Sequence, residues 1–151
     1  MAQLEYRLYD EAQGFPALFN YGSIPKQEIA ARFACDYFTK EGTVYEKTSC
    51  AIEDGLFVVY VQASKEQQPM SSERRSFSAS GLIVLEIRQF TAGSTYFPLI
   101  DKMEFSRLED LLLYLQCNYL TLNATEWEKT SAEVDEDRKK YILYVQRSQG
   151  E

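Results

Sequence analysis

The sequence predicts an α+β fold built as a tandem duplication of a βαββ unit, six mainly antiparallel strands with two helices about a pseudo-two-fold axis. Three observations predict it. A five-residue motif, Tyr45, Glu46, Lys47, Thr48 and Ser49, returns 82 positions later as Trp127, Glu128, Lys129, Thr130 and Ser131. Holding that offset, ten of forty ungapped positions are identical across 15–54 and 97–136, among them Phe15/Phe97, Pro16/Pro98, Cys35/Cys117 and Tyr37/Tyr119. Matches continue at an offset of 84 (60–62 against 144–146) and upstream at 81 (Leu4, Glu5 and Arg7 against Leu85, Glu86 and Arg88), so the shifts fall where loops belong.

Each half reads the same way. Residues 4–9 alternate apolar and polar, the period of a half-buried strand. A loop punctuated by Gly and Pro leads to a helix over 25–40, with Pro25 in its first turn and Gly42 just past its end. Strands over 43–51 and 56–63 join across Glu53, Asp54 and Gly55, a turn signal. Residues 56–61 are apolar on both faces, which predicts a central strand. In the second half the strand is 82–90. Its helix is 107–119, opened by a capping box from Ser106 to Glu109. Strands at 125–132 and 141–146 follow, joined by the charged loop 133–140. The whole is one domain, 1–151, with repeat 1 at about 4–64, repeat 2 at about 82–148, and a polar segment 65–76 that reads as a flexible loop. By element order the nearest architecture is a ferredoxin-like βαββαβ core with additions.

Composition bounds the function. The chain of 151 residues is acidic, net charge −7, and the charge is spread: eight Lys/Arg against eleven Asp/Glu in 1–76, eight against twelve in 77–151. With no basic stripe to release counterions, the expectation is no nucleic acid and no anionic membrane as partner. The N-terminal residues lack the basic and apolar regions of a signal peptide, and no apolar run reaches membrane-spanning length. Three dispersed cysteines fit reduced thiols, so the expected location is cytoplasmic. The absence of histidine removes Ser-His-Asp and Cys-His nucleophiles and His-ligated zinc. No phosphate-binding or dinucleotide-binding motif is present, and the expectation is no cofactor, no bound metal and no assigned catalytic residue.

The repeated aromatic-Glu-Lys-Thr-Ser strands carry the candidate binding residues Tyr45, Lys47, Trp127 and Lys129. On regular strands Tyr45, Lys47 and Ser49 share one face, as do Trp127, Lys129 and Ser131. Such aromatic-plus-cation surfaces could hold an acidic or aromatic partner; the plainer reading is cross-strand Glu–Lys pairing within the sheet. On the helices, Ile29, Ala30, Phe33 and Tyr37 form one apolar stripe, and Leu108, Leu111, Leu112 and Leu115 another. Cys35 and Cys117 lie off those stripes beside Ala31 and Phe38, and beside Leu113 and Leu120. They read as inert thiols at a helix contact rather than a redox pair. The acidic run 133–137 reads as a solvated hairpin tip, and Glu5/Arg7 and Glu86/Arg88 as surface pairs.

Two functions fit. The first is a non-catalytic protein-interaction or regulatory module whose partner is another protein or a second copy of the chain. The second is a small-molecule-binding protein, or an enzyme using Glu46, Glu128 or tyrosines, with its site between the repeats. The module ranks ahead.

Overall fold

A computed structural model of the chain describes residues 1–65 and 81–148. It forms ten strands: β1 (Ala2–Leu8), β2 (Ala17–Ile24), β3 (Tyr37–Lys40), β4 (Thr43–Glu53), β5 (Leu56–Ala63), β6 (Ile83–Gln89), β7 (Leu99–Phe105), β8 (Tyr119–Leu122), β9 (Thr125–Asp135) and β10 (Lys140–Arg147). Two α-helices, α1 (Lys26–Phe33) and α2 (Leu108–Gln116), complete it with a short 3-10 turn at Glu11–Gln13. All ten strands belong to one mixed sheet in the order β2-β1-β5-β4-β3-β9-β10-β6-β7, with β8 alongside β9.

This corrects the expected six-stranded fold of two βαββ units. Four strands were hidden. β2 and β7 lie in stretches that look like loops, since β2 contains Asn20 and Gly22 and β7 contains Asp101, Lys102 and Glu104. Both are end strands of the main path, where charge and irregularity keep an exposed edge from pairing with other chains. β3 falls in the last turns of the expected helix over 25–40, and β8 starts where the expected helix over 107–119 ends, in a stretch given no element. Tyr37, Phe38 and Thr39, and Tyr119 to Leu122, are aromatic, β-branched or apolar, and suit a strand better. The expected mainly antiparallel sheet is mixed: β1 runs parallel to β5, β6 to β10 and β3 to β9.

The expected pseudo-two-fold is also overturned. The halves meet where β3 pairs with the C-terminal end of β9. A two-fold would return β8 to the matching end of β4, and among the described residues no such pairing occurs.

Local chemistry explains the turns. Glu41 and Gly42, then Asp54 and Gly55, connect β3 to β4 and β4 to β5, all four with positive φ (52°, 77°, 51° and 87°). That is the two-residue hairpin geometry in which glycine at the second position carries no Cβ penalty. The helices are shorter than their periodicity suggested. α2 begins at Leu108 after Arg107, whose side chain pairs with Glu109, and Ser106 does not cap it.

Both helices pack on one face of the sheet and against each other. The main core joins Ile29 and Ala31 of α1 and Leu111 and Leu115 of α2 to Leu4, Tyr6, Val59, Val61, Leu85, Ile87, Leu143 and Val145. Burying each leucine contributes about 1.5–3 kcal/mol. Of the expected α1 stripe, Ala30 is exposed and Tyr37 belongs to β3, while Arg32 is buried instead. A small second cluster, Phe97, Ile142 and Tyr144 with Phe90, sits on the helix-free face. The expected flexible loop 65–76 lies, apart from Lys65, outside the described residues.

Candidate functional site

The four sequence-predicted binding residues form two separate groups, because β3 lies between β4 and the β9 strand that carries the second group. Tyr45 packs half-buried against Phe38 and Phe19, both at ring-centroid distances of 6.0 Å. Lys47 Nζ donates to the carbonyl of Phe33 at 2.6 Å, and Lys129 Nζ to that of Leu115 at 2.7 Å. Each ammonium therefore serves an orphan carbonyl in the last turn of a helix, where the macrodipole favours positive charge. Trp127 is buried with the Arg147 guanidinium 5.6 Å from its ring.

The shared face expected of Lys47 and Ser49 does not form. The register shifts between them, and again near Lys129 and Ser131. Lys47 then pairs with Val61 while Ser49 pairs with Tyr60, which lies on the other face. Thr48 and Thr130 stabilise these bulges, each donating its hydroxyl to the carbonyl of Tyr60 or Tyr144 at 3.1 Å. In each copy of the motif the Lys thus ties down a helix end and the Thr ties down a bulge.

The structure assembles two polar arrays that sequence reasoning missed. The first borders a cleft of about 300 Å³ between the halves, lined by Glu28 and Arg32 from α1, Val84 from β6, Leu108 from α2, and Glu136 and Tyr141 around the β9–β10 turn. Arg32 is nearly inaccessible. Its guanidinium meets Glu28 at 3.2 Å and Glu136 at 3.1 Å, donates to the Tyr6 hydroxyl at 3.2 Å, and lies 4.8 Å from the Tyr21 ring centroid. Glu136 also accepts from Lys40 and from the Tyr21 hydroxyl. Burial alone would raise its carboxyl pKa, but those bonds outweigh that and lower it. The cleft's Arg32 and Glu136 charges are thus balanced internally. Burial raises the pKa of Tyr141 well above the phenolic range, so its ring enters the cleft as a neutral group.

The second array lies on the helix-free face. Glu86 accepts from Arg88 at 2.9 Å, Arg138 at 3.0 Å and Lys140 at 2.9 Å, and Arg138 also donates to Asp135 at 2.8 Å. Beside it, Glu133 accepts from Thr39 at 2.6 Å and Tyr144 at 2.7 Å. The expectation of a surface Glu86/Arg88 pair is corrected, since both are buried, as is the solvated tip over 133–137. Glu133 and Asp135 belong to β9. Only the end of the run is exposed, and there Asp137 accepts from the amides of Glu41 and Gly42 at 2.7 and 2.8 Å. The acidic run therefore stitches the second half to the first. No sequence signal beyond the run itself marked this role.

Of the two carboxylates the sequence proposed for acid–base work, Glu46 is exposed and Glu128 is half-buried against Gln146; neither lines the cleft. Cys35 is buried and its thiol pKa is pushed up by that burial, while Cys117 is partly exposed, and both are free. Among the described residues no group of three or more His, Cys, Asp and Glu could hold a metal ion, and no helix is long and apolar enough to cross a membrane. The chain matches no family model, no curated protein and no solved structure.

Glu133 supplies a pH test of the second array. Desolvation raises its pKa against the lowering effect of Thr39 and Tyr144. A carboxyl whose folded value is raised stabilises the fold fully below its unfolded value of about 4.3, and that contribution is lost as pH rises through the folded value. Glu133→Gln keeps the neutral form at every pH. It should be more stable than wild type at neutral pH, with the difference closing towards about pH 4. Urea midpoints of both proteins across that range check the sign.

Proposed function

We propose that the protein is a non-catalytic interaction module that presents open sheet edges to a protein partner. The observation that carries this reading is residues 50–53 of β4. They pair with β5 on one side, have no described strand on the other, and leave Ile52 65% exposed. An open edge with an apolar side chain offers main-chain hydrogen bonds for affinity and a hydrophobic contact for specificity, the physics of strand addition. Tyr119 on β8, 56% exposed, marks a second such edge. A photo-reactive phenylalanine analogue at position 119 should form a protein adduct in native extract, with the analogue at exposed Tyr9 as control. No adduct at 119, or the same adduct from both positions, counts against the reading.

The cleft favours a second reading, a small-molecule site lined by both halves. Its volume lies at the lower end of ligand pockets. Native protein purified from its source should then carry a small molecule that mass spectrometry detects after denaturation. Filling the cleft by Val84→Trp should abolish that carriage.

A further inference from the structure

Resting on the edge-binding reading, the internal junction indicates what covers the open edges. Inside the chain, β3 lies parallel to the end of β9, with Tyr37 beside Glu133, Phe38 beside Val134 and Thr39 beside Asp135. The Asp36 amide donates to the Ala132 carbonyl at 2.7 Å, the Glu136 amide to the Thr39 carbonyl at 2.9 Å, and the Asp36 carboxylate accepts from the Ala132 amide at 2.9 Å. This junction excludes water: Phe38, Thr39 and all of 132–135 are buried.

Each half carries the same two parts in the same place. β8 pairs with the start of β9 as β3 pairs with the start of β4. The end of β9 receives β3, yet no described strand meets the end of β4 or the outer side of β8. Among the described residues, one strand that could dock and one edge that could receive it are thus left over. Their residues match the used pair: Tyr119, Leu120 and Thr121 stand for Tyr37, Phe38 and Thr39, and Ala51, Ile52 and Glu53 for Glu133, Val134 and Asp135. Asn118 replaces Asp36 and keeps a side-chain oxygen that can accept from an amide. The contrast in exposure is direct, since Val134 is 4% exposed and its counterpart Ile52 is open to water.

We propose that a second copy of the chain fills both edges. In that dimer β8 of each chain lies parallel to residues 50–53 of β4 in the other, Leu120 beside Ile52, and the contact occurs twice about a two-fold axis. A head-to-tail contact must close or grow into a filament, and this reciprocal exchange closes with both of these edges covered, leaving among the described residues only the end strands β2 and β7.

Sedimentation equilibrium of the full chain at micromolar concentration should give twice the 17.5 kDa chain mass. Ile52→Glu and Leu120→Arg should each return the protein to chain mass, weakening association by more than about 100-fold, because an unpaired charge is trapped at both junctions. Mixing the two variants should restore the dimer. One junction then sets the introduced carboxylate against the introduced guanidinium, and the other is wild type. Circular dichroism establishes that each variant is folded, which matters most for Leu120→Arg, because Leu120 packs partly against the main core whereas Ile52 is exposed. A monomeric wild type, a dimer that survives either substitution, growth beyond a dimer, or a mixture that stays monomeric would each overturn the proposal. A monomer whose position 119 still cross-links to another protein would refute self-association and leave the edge-binding reading standing.

Discussion

Replacing Glu86 by Gln should lower the unfolding free energy by about 3–5 kcal/mol, the cost of removing one partner from a buried ionic network. Glu86 is 3% exposed, and its carboxylate takes hydrogen bonds from Arg88, Arg138 and Lys140. Glutamine keeps the shape but removes the charge, and its amide N–H groups then face cations. Burial alone would raise the Glu86 pKa, but the bonds from Arg88, Lys140 and Arg138 outweigh burial and hold it at about 2. A carboxyl with a depressed folded value stabilises above its unfolded value of about 4.3 and loses that contribution as pH falls towards the folded one. Wild type should therefore lose stability between about pH 4 and 2, and Glu86→Gln should lose less over that window. The first half provides the control. Glu5 pairs with Arg7 in the corresponding place but is partly exposed, so Glu5→Gln should cost less than about 1 kcal/mol. Equal costs for the two variants in urea unfolding would show that burial does not strengthen the second network.

How much of this was legible in the sequence depended on which force shaped each residue. Residues 56–61, apolar on both faces, were expected to be central, and β5 is flanked by β1 and β4. The Asp54–Gly55 turn followed from local backbone preference alone. The failures came where tertiary pairing overrode periodicity. Tyr37 continues a helical apolar spacing from Ile29 and Phe33, yet the chain leaves the helix after Phe33 because β9 supplies a strand for 37–39. Polar residues misled in the opposite direction. Glu86, Glu133, Asp135 and Arg138 look like surface charge singly and are buried because Glu86, Glu133 and Arg138 find partners across the sheet while Asp135 is held by Arg138 within the turn. Recurrence singles out Lys47 and Lys129, but the helix-end carbonyls of Phe33 and Leu115 that they meet are set by tertiary packing and leave no mark in the motif itself.

Phe38→Ala should cost about 3–5 kcal/mol, as expected for removing a buried aromatic ring from a packed site. Phe38 is 3% exposed, stacks on Tyr6 with ring centroids 3.9 Å apart and planes 14° apart, and meets Phe19 edge-on at 5.7 Å. Its neighbour across the junction is Val134, so the lost volume opens at the seam between the halves. The seam is short: β3 offers only four residues, and Phe38 is the one whose backbone lies opposite Val134 in the middle of it. Truncation should therefore loosen this contact before it loosens the strands within either half. In native-state hydrogen exchange, the amides of Asp36 and Glu136, which donate across the seam, should lose more protection than that of Tyr9, which donates to Val61 within the first half. A uniform loss of protection would mean that the two halves unfold as one unit. A cost below about 1 kcal/mol would mean that the site collapses around the missing ring, against the range for buried aromatics.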